Sequence, residues 1–369
     1  LLSTPPDACA QPHPLHRAAF IKSIIMPVPQ TADKFVGYAA LEKGTKVERY
    51  EYTPEALGDN DVQIGVTHNG LCHTDVHMTM DDWGASRFPF IPGHEVIGIV
   101  EAVGPHVKHL KAGDRVGYAW IKDSCRSCRN CNRGEENLCV KGYTGTILMG
   151  SHGGWQKHMR APADFAYKIP DGLDSVTAAP LLCAGVTVYA PLKKYVRRPG
   201  MSVGVIGIGG LGHLALQFAK ALGCEVTAFS TSPNKEAEAK QLGAHHFVCG
   251  DKAMKSVEGT FDLLINTVSS ATDYKQQMQL LAKGGTLCLV GIPTEEIKGL
   301  TPADFVFDGK QLVGSVVGGR ADMQEMLDMC AVTGIKAMCQ TMPLSKVNEA
   351  IELLLANKPR YRIVLETDL

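Results

Sequence analysis

Residues 201–222 read MSVGVIGIGGLGHLALQFAKAL and contain the clearest indication of the fold class. Its first part, Met201 to Gly207, is a short apolar run typical of a buried β-strand. Leu211 to Leu222 repeats apolar residues at helical spacing, and the following Gly223 is a good helix terminator. Between them lies a G-x-G-x-x-G motif, formed by Gly207, Ile208, Gly209, Gly210, Leu211 and Gly212. A glycine turn that closes a strand and opens a helix binds the pyrophosphate of a dinucleotide.

The chain beyond this motif continues to alternate between strand and helix patterns. We predict a second strand at Glu225–Ser230 and a second helix at Asn234–Leu242, which Gly243 ends. Further strands are predicted over 246–249, 263–267 and 286–290. Such alternation implies an α/β fold with a parallel, doubly wound sheet.

The turn after the second predicted strand indicates which dinucleotide is bound. An NAD site usually carries an Asp or Glu here, which binds the ribose hydroxyls. This chain instead has the hydroxyls of Ser230, Thr231 and Ser232, followed by Lys235. No carboxylate in this turn would repel a 2′-phosphate, and three hydroxyls with one cation can bind it. We therefore predict NADP as the cofactor.

Four cysteines are crowded into one loop, at Cys125, Cys128, Cys131 and Cys139. Four thiolates spaced C-x2-C-x2-C-x7-C can close a tetrahedral shell around one Zn²⁺, so we predict a structural zinc. A zinc-ribbon protein that binds nucleic acid is the non-enzymatic alternative. Acidic residues offset much of the loop's positive charge, and no aromatic residue is interleaved for base stacking.

Three separate segments supply a second candidate zinc site. Cys72 opens CHTDVH (72–77), His94 lies in PGHEVIG (92–98), and Cys183 lies in PLLCAGVTVY (180–189). Each residue alone is a weak signal, because a single cysteine is more often a small core residue. Together they offer three ligands and leave a fourth position open, which is the arrangement of a catalytic zinc. The sequence thus predicts two zinc ions per chain.

These segments resemble a known family. Gly93-His94-Glu95-x2-Gly98-x5-Gly104-x2-Val107 is similar to the signature of the zinc-dependent, medium-chain alcohol dehydrogenases. The resemblance spans about residues 34–368, and CHTDVH, LLCAGVTVY and GIGGLGH are most similar to the cinnamyl alcohol dehydrogenase group. In polyol dehydrogenases a glutamate commonly stands where Cys183 stands here. Thr231, Pro233 and Asn234 depart from the serine-rich turn of the cinnamyl group.

The resemblance implies roles for further residues. Thr74 would hydrogen-bond the alcohol, and His77 would pass its proton to solvent. Asp75 would orient the His94 ring, and Glu95 would lie behind the metal. The nicotinamide side of the cofactor would be lined by Thr187, Thr267, Gly291, Gly314, Ser315 and Val316.

The implied reaction is the interconversion of primary alcohols and aldehydes with NADP(H), by a homodimer. The substrates would be aromatic, such as the cinnamyl type, or medium-chain aliphatic. A polyol or sugar dehydrogenase is the alternative within enzymes.

Two domains are expected, because 369 residues exceed what one core usually serves. By the resemblance, residues 33–186 and 321–369 form a GroES-like, mostly β catalytic domain. A Rossmann NADP-binding domain, residues 187–320, is inserted between them. Residues 1–32 are rich in proline and are interpreted as a disordered leader. A transit peptide and a translated upstream fragment are the alternatives.

Composition narrows the classes of partner. A formal net charge of −1 gives no electrostatic reason to expect binding to nucleic acid or to an anionic membrane. No run of about 18 apolar residues predicts a membrane span. The crowded cysteines, without an apolar secretory segment, indicate metal binding rather than disulfides. We therefore expect a cytoplasmic protein with a small-molecule substrate.

Overall fold

The structure is a computed structural model that describes residues 34–270, 272–293 and 295–369. In that part the chain forms seventeen β-strands and ten α-helices. The predicted leader, residues 1–32, lies outside the described residues.

The strands are β1 (Phe35–Ala39), β2 (Glu48–Tyr52), β3 (Asp61–Leu71), β4 (Val96–Val103), β5 (Arg115–Tyr118), β6 (Ile121–Asp123), β7 (Thr144–Gly145), β8 (His158–Pro162), β9 (Ala166–Lys168), β10 (Ser202–Ile206), β11 (Glu225–Phe229), β12 (His246–Val248), β13 (Phe261–Asn266), β14 (Leu281–Leu289), β15 (Gln311–Gly314), β16 (Cys339–Pro343) and β17 (Arg362–Glu366). The helices are α1 (His73–Thr79), α2 (Ser175–Ala178), α3 (Ala184–Tyr195), α4 (Gly212–Ala221), α5 (Glu236–Gln241), α6 (Asp251–Lys255), α7 (Tyr274–Leu280), α8 (Ala303–Val306), α9 (Arg320–Thr333) and α10 (Val347–Leu355).

Six parallel strands form the sheet that carries the glycine motif. Their order is β12-β11-β10-β13-β14-β15, and every adjacent pair runs parallel. Counted from β10, this is the 3-2-1-4-5-6 order of a Rossmann fold. The predicted α/β class with a doubly wound sheet is therefore confirmed. Apolar side chains alternate between the two faces of these strands, and each face packs into its own buried cluster.

One helix beside this sheet and one of its strands differ from the sequence prediction. The pattern predicted a helix from Asn234, but α5 begins at Glu236 because Pro233 to Lys235 form a 3₁₀ turn. Strand β14 begins at Leu281, before the predicted residue 286, and its register against β13 shifts between Phe261 and Leu263. A register shift of this kind is invisible to a periodicity argument, because it depends on the partner strand.

A second large sheet is built from both ends of the described chain. Its order is β16-β17-β3-β4-β5-β9, and β8 also pairs with β3. Strands β16 and β17 run parallel, whereas the remaining pairs are antiparallel. The last strand therefore returns to the sheet formed by strands from the first half of the described chain. The domain boundaries themselves stay a prediction.

Among the described helices, none is by itself long and apolar enough to cross a bilayer. One bent pair, Ser175–Leu182 with Ala184–Tyr195, meets the length and composition requirement jointly, with an angle of 58° at the break.

Candidate active site

The three predicted catalytic zinc ligands meet in one buried cluster. Cys72, His94 and Cys183, together with Glu95, each offer a ligand atom, and these atoms all lie within 4.8 Å of one another. The ligands come from different parts of the fold: Cys72 precedes α1, His94 and Glu95 precede β4, and Cys183 precedes α3. The packing of these elements therefore fixes the geometry of the cluster.

Asp75 holds the His94 ring in one orientation. Its Oδ1 accepts hydrogen bonds from His94 Nδ1 at 2.8 Å and from the Gly93 backbone N–H at 2.9 Å. Its Oδ2 accepts from the Cys72 backbone N–H at 3.0 Å, so the same carboxylate caps α1. Because Nδ1 donates, the lone pair lies on His94 Nε2, which is buried without a hydrogen-bond partner among the described residues. An orphaned imidazole nitrogen beside two cysteine sulfurs fits a zinc ion.

Two glycines leave the space that the buried side chains of the cluster occupy. Gly93 has a φ of +98°, and a Cβ on it would lie 2.5 Å from Trp155 Cδ1. A Cβ on Gly70 would overlap Glu95 Oε2, so only glycine leaves room for that buried carboxylate.

Glu95 is paired with Arg362, a residue that the sequence reasoning missed. Arg362 Nη2 lies 2.6 Å from each carboxylate oxygen of Glu95, and both side chains are buried. The arginine also donates to the Leu71 carbonyl at 3.0 Å. A Cβ built on Gly210 would lie 3.1 Å from Arg362 Cδ, so the arginine connects the metal cluster with the glycine motif. The sequence did contain a signal for this pair, because Arg362 directly precedes the apolar run Ile363–Leu365, which is typical of a buried strand. A charge buried with such a strand needs a counter-charge.

Burial and mutual contacts shift the pKa values in the cluster. Interaction with Cys183 lowers the pKa of Cys72 well below its usual value, and the same interaction raises the pKa of Cys183. Burial raises the pKa of Glu95 to about 8, although Arg362 opposes the rise. For His94, burial disfavours the charged ring, but Asp75 and Cys72 outweigh it and raise the pKa. Of the two cysteines, Cys72 is therefore the one whose thiolate, the form that binds metal, is favoured.

Thr74 and His77 lie three residues apart on α1, and therefore on one face of the helix. Both side chains are partly exposed. His77 Nδ1 lies 2.7 Å from Asp82 Oδ2, and its ring centroid lies 5.0 Å from that of Trp83. Asp82 is a second partner that the sequence reasoning missed. Because a carboxylate accepts, Nδ1 of His77 donates and Nε2 is left as the proton acceptor.

The four cysteines of the loop also come together. The sulfur atoms of Cys125, Cys128, Cys131 and Cys139 all lie within 4.8 Å of one another. The Cys131 sulfur is 3.9 Å from that of Cys125 and 3.4 Å from that of Cys128. A tetrahedron with zinc–sulfur bonds of about 2.3 Å has edges of about 3.8 Å, so the geometry fits zinc. Backbone N–H groups of Cys131 and Val140 lower the pKa of Cys128 to about 6, whereas burial raises the pKa of Cys131 to about 11.

The four-cysteine loop is braced against the segment that follows β15. Buried Glu136 accepts hydrogen bonds from the backbone N–H and the Nε of Arg320, both at 2.8 Å. Asn137 Nδ2 donates to the Val316 carbonyl at 2.9 Å. A Cβ on Gly319 would overlap the Gly134 carbonyl oxygen, so the two backbones touch. Neither Glu136 nor Arg320 was predicted from the sequence to have this role.

The glycine motif forms the loop between β10 and α4. Gly207 has a φ of +88°, and a Cβ on Gly212 would overlap the Gly207 carbonyl oxygen. Thr267 Oγ1 lies within hydrogen-bond distance of the Gly207 carbonyl, at 2.8 Å, and of the Ile206 carbonyl, at 3.0 Å. The loop is therefore held in place, and the N-terminus of α4 opens beside it.

The turn predicted to bind a 2′-phosphate folds back on this loop. Lys235 Nζ donates to the Ile208 carbonyl at 2.6 Å. Ser230 Oγ accepts from the Ser232 N–H at 3.0 Å, while Thr231 is exposed. The structure thus brings the predicted turn and the glycine motif together.

The residues predicted for the nicotinamide side fall into two groups. Gly291 and the segment 314–316 line a cavity of about 720 Å³, which is also lined by Arg133, Gly134, Glu135, Asn137 and Leu138 of the four-cysteine loop. Thr187 and Thr267 do not line this cavity. Thr187 is buried in α3, where its N–H bonds the Cys183 carbonyl at 2.9 Å, and Thr267 holds the glycine loop.

Comparison with known proteins agrees with this arrangement. Residues 58–171 match the alcohol dehydrogenase GroES-like domain, and residues 210–332 match the zinc-binding dehydrogenase family. The chain is 41% identical over 342 residues to cinnamyl alcohol dehydrogenase 7 of Arabidopsis thaliana, covering 89% of this chain and 95% of that protein. It is 40% identical over 330 residues to the aldehyde reductase AdhA of Synechocystis sp., covering 89% and 97%.

Among solved structures, it is similar to CAD from Helicobacter pylori complexed with NADP(H). The TM-score is 0.84 at 31% identity, and the match covers 90% of this chain and 98% of that one. The chain therefore belongs to the zinc-type medium-chain alcohol dehydrogenase family, among its cinnamyl alcohol dehydrogenases and aldehyde reductases.

Proposed function

We propose that this chain interconverts primary alcohols and aldehydes by hydride transfer with NADP(H). The observation that carries the proposal is the buried cluster of Cys72, His94 and Cys183, in which His94 Nε2 has no other partner among the described residues. Arg362 connects this cluster to a glycine loop suited to pyrophosphate. Membership of an oxidoreductase family argues against the zinc-ribbon alternative.

Cys72, His94 and Cys183 would hold the catalytic zinc, which when bound supplies a Lewis acid that polarises the substrate oxygen. Asp75 and Arg362, which contact the ligand residues and Glu95, hold the site in place. Asp75 keeps His94 Nε2 free to coordinate, and its three hydrogen bonds tie the two ligand segments together. Arg362 balances the charge of Glu95, so that this carboxylate can remain buried beside the ligands.

Proton transfer is assigned to Thr74 and His77. A hydroxyl both accepts and donates, so Thr74 can take the alcohol proton and pass one onward. His77 has one edge fixed by Asp82 and its ring partly exposed, so Nε2 can exchange a proton with solvent.

NADP(H) rather than NAD(H) is proposed from the turn Ser230–Lys235. Lys235 makes no salt bridge with another described residue, which leaves its charge for an anion. The complex of the Helicobacter pylori relative with NADP(H) supports this choice.

Two further features belong to the proposal. The four-cysteine loop would hold a second, structural zinc, since its four sulfur atoms leave no position open for substrate. A homodimer is proposed because β15 is an edge strand of the parallel sheet, and Phe307 near it is 84% exposed.

A steady-state panel tests the proposed function. Cinnamyl-type and medium-chain aldehydes should be reduced with NADPH, at a kcat/KM at least about tenfold higher than with NADH. Mannitol and sorbitol with NADP⁺ test the polyol alternative. Polyol oxidation faster than oxidation of any primary alcohol would overturn the substrate class, and absence of turnover with all of them would overturn the enzyme.

A further inference from the structure

The segment 360–362 passes beside both parts of the proposed cofactor site. A Cβ built on Gly210 would lie 3.7 Å from the Tyr361 carbonyl oxygen, which places this segment against the glycine loop. The Tyr361 ring stacks on His213 of α4, with centroids 5.0 Å apart and an interplanar angle of 20°. Arg360 Nε donates to Glu238 Oε2 at 3.0 Å, and the Tyr361 hydroxyl donates to the same oxygen. Glu238 belongs to α5, directly after the turn that carries Lys235.

Two cations share the Tyr361 ring. Lys235 Nζ lies 5.4 Å from its centroid, and Arg360 Cζ lies 5.9 Å from it. Burial lowers the pKa of Lys235, and the nearby charge of Arg360 lowers it further. Glu238 is the acidic side chain beside them, and Arg360 is its ion-pair partner. This corner therefore has two positive charges and one negative charge.

A single cation balances only part of the charge of a 2′-phosphate. A phosphate monoester carries a charge of about −1.5 to −2 near neutral pH, whereas Lys235 supplies one positive charge. A guanidinium offers five N–H donors in a planar fork. In the ion pair with Glu238, only Nε of Arg360 is engaged, and the side chain is 46% exposed.

We propose that Arg360 is a specificity-determining residue for the 2′-phosphate of NADP(H), and that Glu238 competes with the phosphate for it. The inference rests on the NADP(H) function proposed above. It assigns Arg360 a role beyond tethering the last strand to α5, because a tether alone would not distinguish a ligand with a 2′-phosphate from one without it.

Two adenosine fragments isolate this phosphate. Adenosine 2′,5′-bisphosphate and adenosine 5′-monophosphate differ only at the 2′ position, and calorimetry of the full chain measures both dissociation constants. The unchanged protein should prefer the bisphosphate. Arg360→Ala should lower that preference about 5- to 20-fold, and Arg360→Lys should restore part of it. Glu238→Gln should raise the preference about 2- to 5-fold, because the competing charge is gone.

The matched control is Arg49→Ala, which removes another exposed arginine in an ion pair, with Glu51 at 3.5 Å on β2. It should leave the preference unchanged. Equal weakening of both fragments by Arg360→Ala, or a loss of preference with Glu238→Gln, would overturn the role of Arg360. The opposite sign expected for Glu238→Gln cannot arise from a damaged fold. Lack of any preference in the unchanged protein would instead overturn the proposed NADP(H) function, and this inference with it.

Discussion

Replacing Asp75 by asparagine tests how the catalytic cluster is held. The carboxylate accepts three hydrogen bonds, from the Cys72 N–H, the Gly93 N–H and His94 Nδ1. Asparagine keeps the shape of the aspartate side chain, but it offers one acceptor oxygen and one donor NH2 group. With its oxygen toward Gly93 and His94, the amine faces the Cys72 N–H, and two donors meet. With the amide flipped, the amine faces the other two donors.

The number of lost hydrogen bonds gives the expected loss of zinc affinity. At least one buried donor loses its acceptor, which costs about 1–3 kcal/mol. Loss of a partner that orients a metal-binding histidine typically lowers metal affinity about 10- to 100-fold, which is about 1.4–2.7 kcal/mol. The two figures agree, so Asp75→Asn should weaken zinc binding at Cys72, His94 and Cys183 about 10- to 100-fold, and kcat/KM should fall with it.

Zinc release to a chromophoric chelator measures this affinity, and the proposed structural zinc serves as an internal reference that should not change. Asp82→Asn is the matched control, because it makes the same chemical change on a carboxylate that binds the partly exposed His77. It should leave zinc release unaffected. If Asp75→Asn gives up zinc at the same chelator concentration as the unchanged protein, Asp75 does not support the metal ligands as described.

Three further substitutions test the proton relay, the cofactor preference and the packing of the four-cysteine loop. Thr74→Val should lower kcat at least about 10²-fold, because the hydroxyl that relays the proton is lost, whereas Thr74→Ser should lower kcat far less. The relay would be refuted if Thr74→Val oxidised alcohol at the unchanged rate while a deuterium isotope effect showed that hydride transfer is rate-limiting. Ser230→Asp keeps the hydrogen bond to its own turn but adds a carboxylate, so the NADP(H) preference should reverse through a loss of about 5- to 150-fold in NADP(H) affinity. Equal kcat/KM for both cofactors in the unmutated protein would speak against this reasoning. Glu136→Gln removes the buried charge that caps α9 and should lower the free energy of unfolding in urea by about 1–2 kcal/mol. The neighbouring Glu135 is only partly buried, so Glu135→Gln should change this free energy by less than about 0.5 kcal/mol. Equal effects of the two substitutions would show that the contact between Glu136 and Arg320 does not stabilise the fold.

The elements of the parallel sheet could be predicted because their signals are local. Apolar runs, helical spacing and terminal glycines gave β10, α4 and the glycine loop between them, since each depends on neighbouring residues alone. Both clusters of candidate metal ligands could also be predicted from the sequence. Cysteine and histidine are rare enough that their grouping carries information even when three segments must converge.

The partners of those residues could not be predicted, because they depend on tertiary register. Glu95 and Arg362 are 267 residues apart, and they meet only because β17 and β4 pair with opposite edges of β3. A shift of one residue in β17 would turn Arg362 to the other face of the sheet. Glu136 and Arg320, 184 residues apart, meet through the packing of a loop on a helix N-terminus, which no periodicity describes.

The zinc content per chain distinguishes a protein with two metal sites from a protein with one. One zinc would bind to Cys72, His94 and Cys183, and a second would bind to the four-cysteine loop. Elemental analysis of the unchanged, active protein should therefore find about two zinc ions per chain. Cys183→Ala should retain about one, with circular dichroism preserved and turnover abolished, whereas Cys128→Ala should unfold or aggregate. A fully active chain with about one zinc, or a Cys183→Ala protein that still holds two, would contradict the account.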